Sequence, residues 1–447
     1  MAERRQLGQA AAIAAVTGQS IALGIFLTPA EMAKSLGSPL LLAAVWCAMA
    51  GMMACGALCY AELAVRFPEA GGEYVYLREG YGGRAAFLYG WMSAAVMDPG
   101  IAAALAVGAV SYVRVLTPLG PTAAVLLPVA TLLCLAVVNL LGTRLSGGLM
   151  TAANLLKIIV LFGLVGWAIT ASDGSLANLL PLAERRAGSG PLLPAVAGAV
   201  VSAFFSFGGW WEAGKLAGEI RDPGKNLPRA FTGGVLLVTG IYLLISFAFL
   251  YVLPLEEIVS NNAFIAQFGG ALFGPPGAKV LSVCVLLSVL GGLLALTMAA
   301  PRAYYAMARD GAFFPAFARL HPRFGTPVHA ILLQTGMALV VLTLGAFDRI
   351  LAYIIFSAVA FLGLSATALF RLQPPVDRWW FPAAPILFVA GCFVIGLLIL
   401  LRDPLPALMG VAVVLAGDVL RRFLFPGEPP QIRPRRTRET HRAGDQL

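Results

Sequence analysis

The sequence predicts an all-α protein that crosses a membrane many times. Three observations point to this class: the composition, the number of long apolar windows, and glycine interruptions inside two of those windows. Of the 447 residues, 59% are hydrophobic and only 12% are charged, and the mean hydropathy is +0.85. A soluble globular protein carries about a quarter charged residues. The composition therefore excludes a soluble globule and favours a polytopic membrane protein.

The apolar windows divide the chain into candidate membrane spans. A helix needs about 20 apolar residues to cross the hydrocarbon core of a bilayer. Windows of this kind lie near residues 8–36, 39–66, 84–113, 121–141, 145–171, 192–220, 228–253, 277–308, 327–345, 348–371, 381–401 and 404–424. They predict about twelve transmembrane helices.

The distribution of Lys and Arg predicts the orientation of these spans. Cytoplasmic loops of membrane proteins are enriched in positive residues. If the N-terminus is cytoplasmic, most Lys and Arg face inward, including Arg66, Arg144, Arg302 and the basic cluster at 433–442. The formal net charge of +9 then reflects membrane topology, and no nucleic-acid partner is expected. We expect a multi-pass protein of the cytoplasmic (inner or plasma) membrane with both termini in the cytoplasm.

Cysteine and histidine usage indicates neither a disulfide framework nor a metal site. The chain has three histidines, and none has the sequence spacing to another possible ligand that is typical of a metal site. The six cysteines all lie inside apolar runs and have the character of small core residues; they are Cys47, Cys55, Cys59, Cys134, Cys284 and Cys392. No cofactor-binding motif is present in the spans, so no cofactor or enzymatic activity is expected.

The first span is interrupted by glycine. Gly18 and Gly24 flank a weak point in VTGQSIALGIFLTPAEMA. Further on, Thr28 and Glu31 have the spacing of a capping box, with Pro29 at the first helical position. This pattern predicts that a helix ends after Gly18 and that a new one restarts at Thr28.

The sixth span is interrupted in the same way, at Gly208-Gly209, just before two tryptophans. In hydrocarbon an unsatisfied backbone polar group costs several kcal/mol, so a break is tolerated only where it lines a cavity or a site. Matched breaks five spans apart indicate two inverted five-helix repeats with a binding site at their interface. The alternative is that the glycines only allow close packing of helices.

Motifs along the whole chain resemble the amino acid–polyamine–organocation superfamily, especially its L-type and related bacterial amino acid permeases. The residues that carry this resemblance are GIFLTP at 24–29, AELAVRFPEAGGEYVYLREGYG at 61–82, Asn154 and Lys157, FSFGGW at 205–210, GEIRDPGKNLPRA at 218–230, PRAYYAMARDGAFFP at 301–315 and HPRFGTPVHA at 321–330.

The resemblance implies a LeuT-like fold, in which helices 1 and 6 unwind around the substrate. The transporter core is then expected over residues 1–375, with inverted repeats at about 8–171 and 192–371. Two additional helices follow within 376–425, and residues 426–447 form a basic cytoplasmic tail, expected to be disordered.

The same resemblance implies a site for an amino acid zwitterion. Backbone amides at the start of the second half of helix 1, at Gly24, Ile25 and Phe26, would bind the carboxylate. Carbonyls between Gly18 and Ile21, and at Phe205, would accept from the ammonium, with Gly208 and Trp211 nearby. Phe205 matches the aromatic residue that closes over the substrate. Where the family commonly has Gly-Ser-Gly, this chain has Ala22-Leu23-Gly24, so carboxylate binding would depend on backbone amides alone.

A lysine lies in the middle of the fifth span. Burying the Lys157 ammonium in the membrane is costly and therefore indicates a function. In sodium-coupled relatives of this fold an ion bridges helices 1 and 8, and in the resembling permeases a helix-5 lysine takes its place. The resemblance thus implies that Lys157 binds carbonyls near Gly18 and a hydroxyl such as Thr297. The alternative is a lysine that extends to the membrane surface.

Three acidic residues remain. Asp98 could carry a proton, favour a cationic substrate, or cap the helix beside Pro99. Glu212 and Lys215 are three residues apart and are expected to pair with each other, with a small effect if they are exposed. The family match implies that Glu219 organises a cytoplasmic gate.

The function implied is sodium-independent transport of amino acids, neutral L-amino acids above others, by alternating access as a proton symporter or an exchanger. The alternatives are a cationic amino acid or polyamine permease, and a non-transporting nutrient receptor on the same fold. The expected partners are the amino acid substrate and the lipid bilayer. The loop between spans 3 and 4 has no cysteine, so no disulfide-linked heavy chain is expected.

Overall fold

The computed structural model describes residues 5–22, 24–171, 174–258, 263–344, 347–375, 377–402 and 404–425. Leu23 and the tail at 426–447 lie outside the described residues. Over these ranges the chain is built from α-helices, and the β contact found there is one isolated parallel bridge between Leu7 and Ile220. An all-α architecture is therefore confirmed.

The first half of the chain contains eight α-helices. They are α1 (Gln9–Ser20), α2 (Gly24–Leu36), α3 (Pro39–Arg66), α4 (Glu73–Tyr81), α5 (Gly83–Met92), α6 (Asp98–Leu116), α7 (Pro121–Leu140) and α8 (Thr143–Ala171). A π-helical turn, Ser93–Met97, joins α5 to α6. Together they form one 34-residue span from Gly83 to Leu116.

The second half contains nine α-helices. They are α9 (Leu192–Phe207), α10 (Pro223–Val252), α11 (Ala263–Phe273), α12 (Gly277–Ala299), α13 (Pro301–Arg309), α14 (Val328–Leu344), α15 (Phe347–Arg371), α16 (Ala383–Arg402) and α17 (Pro404–Leu424). A 3-10 helix, Trp210–Glu219, follows α9.

The described part of the chain has nine helices that are long and apolar enough to cross a membrane. This confirms a multi-pass membrane protein. Three of the twelve predicted spans are not among these nine helices. The span near 8–36 is divided into α1 and α2, the span near 327–345 is the shorter apolar helix Val328–Thr343, and the span near 404–424 is α17.

The first break is shorter than its sequence predicts. Helix α1 ends at Ser20 and α2 begins at Gly24, so the restart predicted at Thr28 is wrong. Pro29 lies inside α2, and the Thr28 hydroxyl donates to the Gly24 carbonyl oxygen at 2.9 Å instead of capping a helix. Gly24 is required here by close packing, since a Cβ at this position would lie 2.9 Å from Cα of Ser206.

The second break lies at Gly208-Gly209 and touches the first. Gly209 has φ +98°, in the left-handed region that favours glycine. A Cβ at Gly209 would also lie 2.4 Å from Cγ of Gln19 in α1. Beyond the break, every residue of the Trp210–Glu219 helix is buried. The two interrupted spans therefore meet at their breaks.

Neighbouring helices hold both breaks in place. Helix α1 packs against α8, α10 and α12, and the 3-10 helix packs against α1 and α10. The ring of Trp210 lies 5.0 Å from that of Tyr60 and 6.0 Å from that of Phe231, in edge-to-face contacts that fix the chain after the break.

Candidate functional site

A cavity lies between the two helix breaks. Its wall includes residues from both breaks and from α6 and α15; they are Gln19, Ser20, Ala22, Gly24, Ile101, Ala104, Leu105, Phe204, Phe205, Ser206, Gly208, Gly209, Trp211, Ile354, Ile355 and Ala358. The cavity thus occupies the position where the interrupted spans predict a binding site.

The cavity is small and mostly apolar. Its volume is about 70 Å³, which is room for about five to seven water-sized groups. That number is comparable with the non-hydrogen atoms of alanine or serine. The polar side chains in the wall are Gln19, Ser20 and Ser206, and none of the described wall residues is acidic. Such a cavity suits a small, uncharged side chain.

The beginning of α2 faces this cavity through Gly24. The first N–H groups of a helix have no acceptor within that helix, and the helix dipole places partial positive charge there. Ser206 lies against this helix start, with its Oγ 2.5 Å from the Thr28 Oγ1. The helix start can therefore hold an anionic group such as a carboxylate.

Tyr242 connects the two broken helices. Its hydroxyl oxygen lies 2.6 Å from the carbonyl oxygen of Ser20 and 2.5 Å from that of Ser206. A single hydroxyl hydrogen can be donated to only one of them at a time. The sequence analysis missed Tyr242, although a tyrosine in the middle of the apolar span 228–253 was a usable signal.

Lys157 is buried, with 1% of its surface exposed, and holds the end of α1. Its Nζ donates to the carbonyl oxygens of Gly18 at 2.8 Å and Ile21 at 2.6 Å. These carbonyls are not in the described cavity wall. One turn earlier on α8, Asn154 Nδ2 donates to Thr17 Oγ1 at 2.8 Å. The end of the first half of the broken helix is therefore held by α8.

The expectation that Thr297 binds Lys157 is wrong. Gly291 of α12 lies beside the ammonium, since a Cβ there would lie 3.7 Å from Lys157 Nζ. Thr297 is six residues further along the same helix, about 9 Å by helical rise. Its Oγ1 accepts from Asn139 Nδ2 at 3.0 Å and donates to the Leu293 carbonyl oxygen at 2.7 Å.

Asp98 is not a helix cap. The chain is helical on both sides of it, and no side-chain cap hydrogen bond is formed at the start of α6. Its carboxylate instead pairs with Lys215, with Nζ 3.0 Å from Oδ2. Ser93 Oγ also donates to Oδ2. Asp98 and Lys215 are both fully buried, so Asp98 does have a partner.

Glu212 and Lys215 do pair, but in the interior and not at an exposed position. The two Lys215 carboxylate partners are Asp98 and Glu212, and Glu212 Oε1 lies 3.0 Å from Nζ. Glu73, at the start of α4, is also buried and accepts from the Tyr89 hydroxyl at 3.1 Å. We call Glu73, Asp98, Glu212 and Lys215 the buried charge cluster. None of its members lines the cavity described above.

Glu219 lies at the far end of the 3-10 helix and pairs with Arg302 of α13. Arg302 Nε donates to Oε1 at 2.8 Å. The Glu219 carbonyl oxygen also accepts from the backbone N–H groups of Gln6 and Leu7, both at 2.9 Å. These contacts connect the N-terminal segment, the sixth span and the eighth span at one end of the molecule.

A second layer of ion pairs lies near Glu219, around α4. Arg78 Nη2 lies 2.6 Å from Glu69 Oε1 and also pairs with Asp310. Burial alone would lower the pKa of Arg78, but the Asp310 and Glu69 carboxylates raise it above its usual range.

The substrate-binding residues predicted from the sequence reach the cavity only in part. Ala22, Gly24, Phe205, Gly208 and Trp211 are in the cavity wall. Gly18 and Ile21 face Lys157, and Ile25 is buried but is not in the described wall. Leu23 lies outside the described residues. The missed wall residues come largely from α6 and α15, whose apolar sequences carry no local signal.

A polytopic helical membrane protein with a cavity at two helix breaks has the architecture of a small-molecule transporter. The chain belongs to the amino acid permease family, whose model matches residues 7–416. Members of this family are transporters and not enzymes.

Characterised relatives match over nearly the whole chain. The serine/threonine exchanger SteT of Bacillus subtilis is 29% identical over 427 residues, covering 93% of this chain and 95% of SteT. The human large neutral amino acids transporter small subunit 2 is 30% identical over 436 residues, covering 93% and 80%. The human Asc-type amino acid transporter 1 is 30% identical over 434 residues, covering 93% and 82%.

Proposed function

We propose that this amino acid permease carries small neutral L-amino acids across the cytoplasmic membrane without sodium, by alternating access. The observation that carries this proposal is Lys157. A fully buried ammonium bound to the Gly18 and Ile21 carbonyls supplies the positive charge that a sodium ion would otherwise supply to an unwound helix. Transport then proceeds as proton symport or as exchange.

The cavity supports a small neutral substrate. A cationic side chain in a desolvated pocket needs a carboxylate partner. The described wall has none, and the deep carboxylates Asp98 and Glu212 lie outside the wall and contact Lys215. A cationic amino acid or polyamine is therefore the less supported substrate. Relatives named for serine, threonine and neutral amino acids agree with this choice.

Both charged groups of the substrate have candidate partners. The carboxylate would bind the free amides at the start of α2, near Gly24, because Ala22-Leu23 offers no hydroxyl. The ammonium would bind carbonyls at the ends of α1 and α9, such as those of Ser20 and Phe205. Phe205 is partly exposed in the cavity wall and would close over the bound substrate.

Alternating access would use the two breaks as hinges. The contacts of Glu219 with Arg302, Gln6 and Leu7 would close the cytoplasmic end. This orientation places both termini in the cytoplasm. We further propose that the transporter core comprises residues 1–375, with inverted repeats at 8–171 and 192–371. Two further helices then lie within 376–425. The short loop between α6 and α7 has no cysteine, so the protein would act without a disulfide-linked heavy chain.

Uptake of a panel of labelled amino acids into proteoliposomes tests the proposal. We expect saturable uptake of alanine, serine or threonine, competed by one another and not by arginine or spermidine. Uptake of arginine with equal affinity would contradict a neutral substrate. Binding of an amino acid without any uptake or exchange would instead favour a receptor.

A further inference from the structure

The buried charge cluster has more negative than positive charge. Glu73 and Glu212 are each 1% exposed, and Asp98 and Lys215 are fully buried. If every member were ionised, three carboxylates would face one ammonium. The ionisable groups that face the cluster from the neighbouring helices are the tyrosines Tyr60, Tyr76, Tyr89 and Tyr304, which bring no positive charge.

Such a surplus of buried negative charge is not tolerated in a low-dielectric interior. An isolated ionised carboxylate transferred from water loses far more hydration energy than a hydrogen bond returns, and in practice it binds a proton instead. Only one of the three carboxylates can be compensated by Lys215. The structure therefore requires protons on carboxyl groups of the cluster.

The hydrogen bonds identify which carboxyl groups carry them. Asp98 accepts from Lys215 through both oxygens, at 3.0 and 3.2 Å, and from Ser93, and it lies 3.1 Å from the Tyr304 hydroxyl. A carboxylate with several donors is stabilised in its charged form. Asp98 and Lys215 thus form the fixed ion pair of the cluster.

Glu73 and Glu212 have far fewer donors. Glu73 Oε1 is buried without a hydrogen-bond partner among the described atoms, and Oε2 accepts only from Tyr89. Glu212 receives its donor from Lys215 alone; its Oε2 lies 2.9 Å from Nζ but outside hydrogen-bond geometry. These two carboxyls are poorly solvated as anions.

We propose that the buried charge cluster is a proton-binding site, in which Glu73 and Glu212 carry the exchangeable protons and the Asp98–Lys215 pair is fixed. This assignment rests on the proposed transport function. Binding neutralises a carboxylate by forming one O–H bond with a proton from water, and release breaks that bond and returns the proton to water.

The cluster is placed where substrate and gate can both act on it. Glu212 directly follows Trp211, and Asp98 precedes Ile101 by one helical turn; both Trp211 and Ile101 line the cavity. On the opposite side, the N–H of Gly71, in the α4 loop, donates to the Lys215 carbonyl oxygen at 3.2 Å. Movement of the 3-10 helix would separate Glu212 from Glu73 and Asp98 and admit water, so proton release follows opening on this side.

Two measurements on proteoliposomes and purified protein test the proposal. We expect the lumen of proteoliposomes with wild-type protein to become acidic when labelled alanine or serine is taken up. In the Glu73→Gln and Glu212→Gln variants this acidification should be several-fold smaller. Both variants should still exchange internal for external substrate. Infrared spectra of wild-type protein at neutral pH should contain the C=O band of a buried protonated carboxyl, which is reduced in each variant.

Glu256→Gln is the matched control, because Glu256 is an exposed loop carboxylate whose pKa is lowered by a backbone hydrogen bond and by Arg186. It should leave both readouts unchanged. Absence of the protonated-carboxyl band in wild-type protein overturns the proposal, even if the variants fail to fold. Uptake by wild-type protein without proton movement also overturns it and leaves the transport function standing. If wild-type protein moves no amino acid at all, the proposed function itself fails.

Discussion

At the scale of single residues, Lys157 is the side chain on which the account depends most. Lys157→Met keeps the length of the side chain but removes the charge that binds the Gly18 and Ile21 carbonyls. We expect uptake to fall at least about tenfold, the equivalent of 1.4 kcal/mol, because the end of α1 loses its buried cation. Lys279→Met, at an exposed position on α12, should transport normally. Equal uptake by both variants would contradict the role of Lys157.

Phe205 is the second residue with a specific prediction. Its ring lines the cavity and is partly exposed, so its removal should impair closure more than folding. For Phe205→Ala we expect a loss of uptake of about tenfold, since apolar contact of a ring contributes roughly one to a few kcal/mol. Phe205→Tyr is the control that keeps the ring. Full uptake by a well-expressed alanine variant would show that Phe205 only packs.

Substitution of Asp98 should lower the stability of the protein before it changes the selectivity for substrates. Asp98→Asn leaves the buried Lys215 ammonium with Glu212 as its remaining carboxylate. Breaking a buried pair by removing one partner costs about 3–5 kcal/mol, so we expect a clearly lower unfolding temperature in detergent. Glu256→Gln, which removes the pair of an exposed carboxylate with Arg186, is the comparison. An unchanged unfolding temperature for Asp98→Asn would exclude the ion pair.

At the scale of secondary-structure elements, the break in the sixth span is the most sensitive feature. Gly209 has φ +98°, and a Cβ there would lie 2.4 Å from Gln19. Gly209→Ala should therefore lower both thermal stability and uptake, because it strains the backbone and displaces α1. Gly233→Ala, inside α10 with open space around its Cβ, should be neutral. Similar behaviour of the two variants would contradict the contact between the breaks.

The helices and their breaks could be predicted because they leave local signals. Apolar windows mark the spans, and Gly24 and Gly208-Gly209 mark the interruptions. The restart at Thr28 was predicted wrongly, because a Thr-Pro pair typical of a helix start lies inside α2. At the observed start of α2, Gly24 is closely approached by Ser206. This is a contact between segments far apart in the sequence, so it leaves no local signal.

The buried charge cluster could not be predicted for the same reason. Asp98 and Lys215 are 117 residues apart in sequence, and each has a plausible local role beside Pro99 or Glu212. Only the tertiary fold brings the start of α6 close enough to the 3-10 helix for these side chains to meet. Lys157 was easier to interpret, because a lysine within an apolar span requires nearby acceptors wherever the chain places it.

At the scale of the whole molecule, the sequence motifs, the broken helices and the family match agree. The amino acid permease model covers residues 7–416, which includes both breaks and all of the cavity wall. The cavity and the charge cluster are separate, with Trp211 and Ile101 between them. The protein thus combines a candidate substrate cavity, a buried charge cluster and a group of ion pairs around α4.

Sodium replacement tests the central claim most directly. Lys157 occupies the end of α1 and binds its free carbonyls, so transport should not require a bound sodium ion. Initial rates of alanine and serine uptake into proteoliposomes are to be compared in sodium chloride and choline chloride at equal ionic strength and pH. The account predicts the same rate in both salts. A several-fold lower rate in choline would contradict it.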